Sequence, residues 1–90
     1  MVFAPDTFSL DLNCSPEQIA SAAGALWVTC YYLNELERIS TAGSVNRIPI
    51  PSQTTANGVT AGPDDAAWFT EISASQLGRV LVKPVGASTS

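Results

Sequence analysis

The sequence predicts an α+β fold, in which one long central helix and a second, shorter helix pack with a small antiparallel sheet and a long extended arm or hairpin. Three observations predict it. Residues 15–43 open with helix punctuation and then run apolar; residues 7–12 and 79–83 alternate as strands do; and residues 44–62 carry alternating prolines with no helical period. Ninety residues suit a single small domain spanning 1–90, one that buries only about 60–65% of the surface its unfolded chain exposes.

The long helix is predicted from its ends as much as from its content. Ser15 is a good N-cap, Pro16 stands where a missing N–H costs nothing, and Gln18 completes a capping box. Glu17 and Arg38 suit the helix dipole, and Gly43 can close the helix in the left-handed conformation. The rod would be about 37 Å long. One stripe, with Leu26, Cys30, Leu33 and Leu36 among its members, keeps the three-and-four spacing of a core face. A second stripe holds Ala20, Gly24, Trp27 and Tyr31, and no charge falls between Ile19 and Leu33. A helix apolar on every side is normally enclosed on every side, which the remaining residues could achieve only with difficulty.

The other elements follow in order. Residues 1–4 form an apolar head, and Pro5 starts a strand over 7–12 in which Phe8, Leu10 and Leu12 face one way. Pro49 and Pro51 keep Ile48 and Ile50 extended and exclude a central strand in 44–62, while Asn57-Gly58 offers a two-residue hairpin turn. That segment reads either as an arm laid over a neighbouring subunit or as a flexible surface loop. Pro63, with Asp64 and Asp65 in the first turn, opens the second helix, which carries Trp68, Phe69, Ile72 and Leu77 on its apolar face and ends before Gly78. Residues 79–83 then pair with 7–12, and 86–90 form a solvated, flexible tail.

Chemistry is sparse in this sequence. It contains no histidine, the commonest general base and metal ligand. Neither a phosphate-binding glycine loop nor a nucleophile elbow occurs, Asp64 and Asp65 are explained by the dipole, and Ser15 is a cap. The reading is therefore not an enzyme, with no catalytic, cofactor-binding or metal residues and no cofactor. Cys14 and Cys30 lie about 20 Å apart along the predicted helix, beyond the roughly 7 Å that a disulfide spans. Without a secretory signal they read as reduced thiols in a chain made in the cytoplasm.

Partners are bounded by charge. Net charge is −4, and the basic residues Arg38, Arg47, Arg79 and Lys83 are scattered, which argues against direct nucleic-acid binding. The apolar run is shorter than the roughly 20 residues of a membrane span. Charged residues are 13% of the chain, about half the usual share near 25%, and a charge-poor surface suits packing against another protein. The sequence thus reads as a structural or assembly subunit of a large multi-copy complex, of the virion accessory kind (cement, connector or minor capsid). Its partners are further copies of itself or a larger shell or connector protein, through an interface of Trp27, Tyr31, Tyr32, Ile48 and Ile50. The alternative is a small soluble adaptor or regulator that binds one protein partner.

Overall fold

A computed structural model describes residues 2–51 and 54–81. The described residues form seven strands and no helix: β1 (Pro16–Ala22), β2 (Ala25–Cys30), β3 (Glu35–Ile39), β4 (Val45–Pro49), β5 (Ala56–Ala61), β6 (Ala67–Glu71) and β7 (Gln76–Val80). They make two antiparallel meanders, a four-stranded sheet in the order β1-β2-β3-β4 and a three-stranded sheet in the order β5-β6-β7. The fold is all-β, which overturns the α+β expectation.

The predicted long helix is three strands. Ala23 and Gly24, both at positive φ (51° and 74°), turn the chain between β1 and β2, the backbone that a two-residue hairpin matched to strand twist requires. Residues 31–34 turn it again before β3. The helical reading failed because a run that is apolar on all sides satisfies a 3.6-residue period and an unbroken strand equally well. Such a run in a short segment is also the mark of a strand covered on both faces.

The remaining elements are corrected in the same way. The predicted second helix is the turn after β5, then β6, then another turn and the start of β7. Residues 7–12 are irregular and form no strand, and β7 pairs with β6, not with them; Val82 and Lys83 lie outside the described residues. The arm is not an arm. Its residues build β4 and β5, with Asn57-Gly58 inside β5 and Ile50 just past β4, only 3% exposed. The tail at 86–90 lies outside the described residues.

The two sheets repeat one another. Ala25, Trp27, Thr29, Leu36 and Arg38 recur 41 positions later as Ala66, Trp68, Thr70, Leu77 and Arg79. Trp27 stands opposite Arg38 across β2 and β3, and Trp68 stands opposite Arg79 across β6 and β7. Each arginine lies over its tryptophan ring, 5.9 Å and 5.4 Å from the ring centroids, within the reach of a cation–π contact. The first strands of the two sheets, β1 and β5, are offset by 40 positions instead, since Ala20 faces Trp27 as Thr60 faces Trp68. Between the equivalent residues Gly62 and Ala66 the chain therefore holds one residue more than between Ala22 and Ala25, and Asp65, at φ 60°, is in the left-handed region there.

Stacking is head to tail. The Trp27 face of the first sheet meets the opposite face of the second, so that Trp27, Leu36, Ile50, Ala56, Ala67 and Phe69 form one core. Phe69 packs over Gly78, its cross-strand partner, where a Cβ would collide with the ring. Thr29, fully buried, accepts a hydrogen bond from the Gln18 N–H and donates one to the Asn57 carbonyl, both 3.0 Å, tying β1 and β2 to β5.

Two substitutions check this packing. Replacing Ile48 and Ile50 together by serine, which a docking arm would tolerate with unchanged thermal unfolding, is expected here to lower stability by about 3 kcal/mol or more, read as a clear fall in Tm. Thr29→Val keeps the volume but strands the Gln18 N–H and the Asn57 carbonyl, and should cost about 1–3 kcal/mol in a urea titration. An unchanged midpoint for this variant would mean that the hydroxyl does not join the sheets.

Candidate functional site

The polar side chains gather in two places, and strand register puts them there. On the face of the first sheet turned away from the core, Glu37 stands opposite Val28 on one side and Arg47 on the other, with Glu35 opposite Cys30. The N-terminal segment lies over this face. Its Asp11 pairs with Arg47 (Nη1 to Oδ2, 3.2 Å), while Arg47 Nη2 and Nε hold the Glu35 carboxylate at 3.0 and 3.1 Å. The Asp11 N–H donates to Glu37 Oε1 at 3.1 Å, and Phe8 and Leu10 sit beside Leu26, Val28 and Ile39.

A disulfide between Cys14 and Cys30 anchors the same segment. The expectation that these cysteines are too far apart fell with the helix. Because the chain reverses after Ala22, Cys30 at the end of β2 stands opposite Pro16, and its Cα is 4.7 Å from that of Cys14. Glu37 is fully buried beside the disulfide. Burial raises its pKa above the usual 4.5 and the neighbouring carboxylates of Glu35 and Asp11 push the same way, against the Asp11 N–H, which favours the charged form. No substrate can reach a carboxyl so enclosed, and the Arg47 cation is already shared by two acids. This cluster can fasten a segment or hold a cation, but it cannot act on a bound molecule.

The second cluster is at the tip of the β5–β6 hairpin. Asp64 accepts hydrogen bonds from Trp68 Nε1 (2.9 Å), the Ala66 N–H (3.2 Å) and Arg79 Nη1 (3.0 Å). Gly62 leaves room for the indole, which a Cβ would strike. Asp65 accepts from the Ala23 N–H at 3.1 Å, joining the equivalent turns of the two sheets. Neither aspartate serves a helix dipole, and Ser15 caps nothing; its carbonyl accepts from the Tyr31 N–H.

The residues predicted as an interface are scattered. Trp27 and Ile50 are in the core, Ile48 packs against it, and Tyr31 and Tyr32 are exposed in the β2–β3 turn with their rings edge to face, 4.9 Å apart. Asp11, Glu35, Glu37, Arg47 and the cysteine pair were not singled out as a site. The 41-residue recurrence of Trp, Thr, Leu and Arg was the available signal for the whole arrangement.

The Trp68 indole, opposed by partial burial but supported by the Ala66 N–H and Arg79, holds the Asp64 carboxyl below its usual 3.8. A depressed acid stabilises the fold above its unfolded pKa, and that contribution is lost as pH falls through the lower folded value. Asp64→Asn should therefore lower Tm at neutral pH and converge with the unmodified chain as pH drops below about 3.8; a constant gap down to strong acid would contradict it.

With the geometry in view, the chain can be set beside known proteins. Residues 4–86 match the Virginiamycin B lyase family. A selenomethionine-substituted virginiamycin B lyase from Staphylococcus aureus superposes with a TM-score of 0.76 at 33% identity, covering 81% of this chain and 26% of that one. A catalytically inactive histidine-to-alanine variant of virginiamycin B lyase from the same organism, solved with quinupristin, gives the same values. A streptogramin B lyase structure matches in fold, with a TM-score of 0.71 at 24% identity, covering 80% of this chain and 25% of that one. No curated protein sequence matches the chain. The chain thus spans about a quarter of the length of the solved lyases, and its two sheets correspond to part of their β-propeller. These findings overturn the expectation of a non-enzymatic assembly subunit of the virion kind, along with its adaptor alternative. They replace it with kinship to a lyase: the chain belongs to the virginiamycin B lyase family.

Proposed function

We propose that the chain forms part of a lyase acting on antibiotics of the virginiamycin B and quinupristin type, as two neighbouring blades of a β-propeller. The observation that carries this reading is the match of residues 4–86 to the lyase family, joined to a repeat whose stacking is open on the far face of the second sheet and only partly covered, by the N-terminal segment, on the outward face of the first. Leu26, Val28 and Ile39 stand on the first sheet where Ala67, Phe69 and Val80 stand on the second, and the latter set is what packs against Trp27 and Leu36. On the far side, Thr60, Trp68, Leu77 and Arg79 repeat the face that the first sheet presents to the second. Ile19, Leu26 and Leu77 are 63%, 40% and 68% exposed. The partner for the open far face is a further blade of the same kind, seated by the same head-to-tail packing, and on the first sheet a further blade packs against Ile19 and Leu26 beside the N-terminal segment.

The chemistry is divided in this reading. The Staphylococcus aureus variant that lost one histidine is catalytically inactive, and the present chain has no histidine. The histidine on which activity depends therefore comes from another blade, and these residues supply the wall of the ring. A chimera tests the proposal: residues 4–86 replace the matching quarter of the Staphylococcus aureus enzyme. The expected product is a folded monomer that still consumes virginiamycin B. A chimera that folds but neither binds quinupristin nor consumes virginiamycin B would overturn the reading.

A further inference from the structure

We propose that the Cys14–Cys30 pair and Glu37 form a redox-gated site for one thiophilic divalent cation of the zinc class, closed when the cysteines are bonded to each other and open when they are reduced. The two sulfurs and a Glu37 carboxylate oxygen lie within 4.8 Å of one another. Zinc bound by thiolates at about 2.3 Å holds its sulfurs roughly 3.8 Å apart, so side-chain rotation after reduction suffices to admit the ion. Two thiolates and one carboxylate leave a fourth position for water, on the side of half-buried Cys14.

Three features favour a ligand role over a purely structural one. Glu37 Oε2 is 3.5 Å from Cys30 Sγ, yet a disulfide sulfur carries no proton, so that contact is not a hydrogen bond and a fully buried oxygen is aimed at sulfur. The other oxygen is fixed by the Asp11 N–H, the kind of outer contact that orients a metal-binding carboxylate. Finally, the repeat does not require these side chains. Where the first sheet has Cys30 and Glu37, the second has Glu71 and Gly78, and it still forms its hairpins. Two thiolates and a carboxylate around a dication leave one negative charge on the site.

The opening step is thiol–disulfide exchange. A dithiol reductant gives two protons and two electrons to the Cys14–Cys30 bond, yielding two thiols and its own disulfide. Metal binding then releases both thiol protons to water. This inference is independent of the lyase reading, since it concerns side chains on the face of the first sheet turned away from the core and needs no antibiotic.

Cobalt(II) is the probe. The ninety-residue chain, reduced with a phosphine (which takes up the oxygen of one water as the disulfide becomes two thiols), is titrated with cobalt and followed by thiolate-to-cobalt charge-transfer absorption. The expected result is saturation at one equivalent, reversal by zinc, and no absorption from the oxidised chain. Glu37→Gln should weaken cobalt binding at least about tenfold, and Cys14→Ser should abolish the band. Far-UV circular dichroism is recorded in parallel. If reduction unfolds the chain, recovery of the strand spectrum on adding zinc supports the site and failure to recover overturns it. A folded, reduced chain without the band, or a Glu37→Gln chain that binds cobalt as tightly as the original, also overturns it.

Discussion

The fold depends on how the Thr29 face of the first sheet meets the second. A threonine hydroxyl in that position is both acceptor and donor, and it is spent on the backbone of two different sheets. Around it, Trp27 and Leu36 bury their surface against Ala67 and Phe69. Hydrophobic burial there is non-directional and would permit the sheets to slide. The hydrogen bonds fix one offset, and Asp65 holds the equivalent turns together at the far end. Everything that distinguishes the two outer faces follows from that single offset.

How much of this was legible in the sequence can be judged from particular residues. The cross-strand pairs were hidden because Ile19, Leu26, Trp27 and Val28 sit in a run without charges, which erases the contrast between strand and helix. Ala23-Gly24 is a weak turn signal by composition, as alanine rarely adopts the left-handed conformation that it has here. The prolines misled in a different way: Pro49 does exclude a central strand, but it is compatible with an outermost one, which is where it lies. The charge-poor composition was read as a surface awaiting another protein. The cysteine pairing could not be recovered once the helix was assumed, since that assumption alone set their separation. The recurrence of Trp, Thr, Leu and Arg was in plain view and needed only comparison of the chain with itself.

Sequence identity within the repeat is uneven in a physically sensible way. Trp27 and Trp68 keep their arginine partners, whereas Val28 with Glu37 in one sheet becomes Phe69 with Gly78 in the other. A large ring over a residue without a side chain is exchanged for a branched aliphatic beside a long acid. The two solutions fill a similar cross-strand space, but only one of them brings a titratable group and a sulfur pair into the same corner. A repeated scaffold can thus carry chemistry in one copy and plain packing in the next.

One edge strand of the first sheet has a further consequence. β4 carries Arg47 and ends in Pro49, so one of its positions has no N–H to offer and another bears a charge. Both are features by which natural sheets discourage added strands from other molecules. This edge is therefore poorly suited to growth by extending a hydrogen-bonded ladder, while the far face of the second sheet is open to growth by stacking. That asymmetry separates orderly assembly from amyloid-like accretion, and it resides in the edge and not in the core.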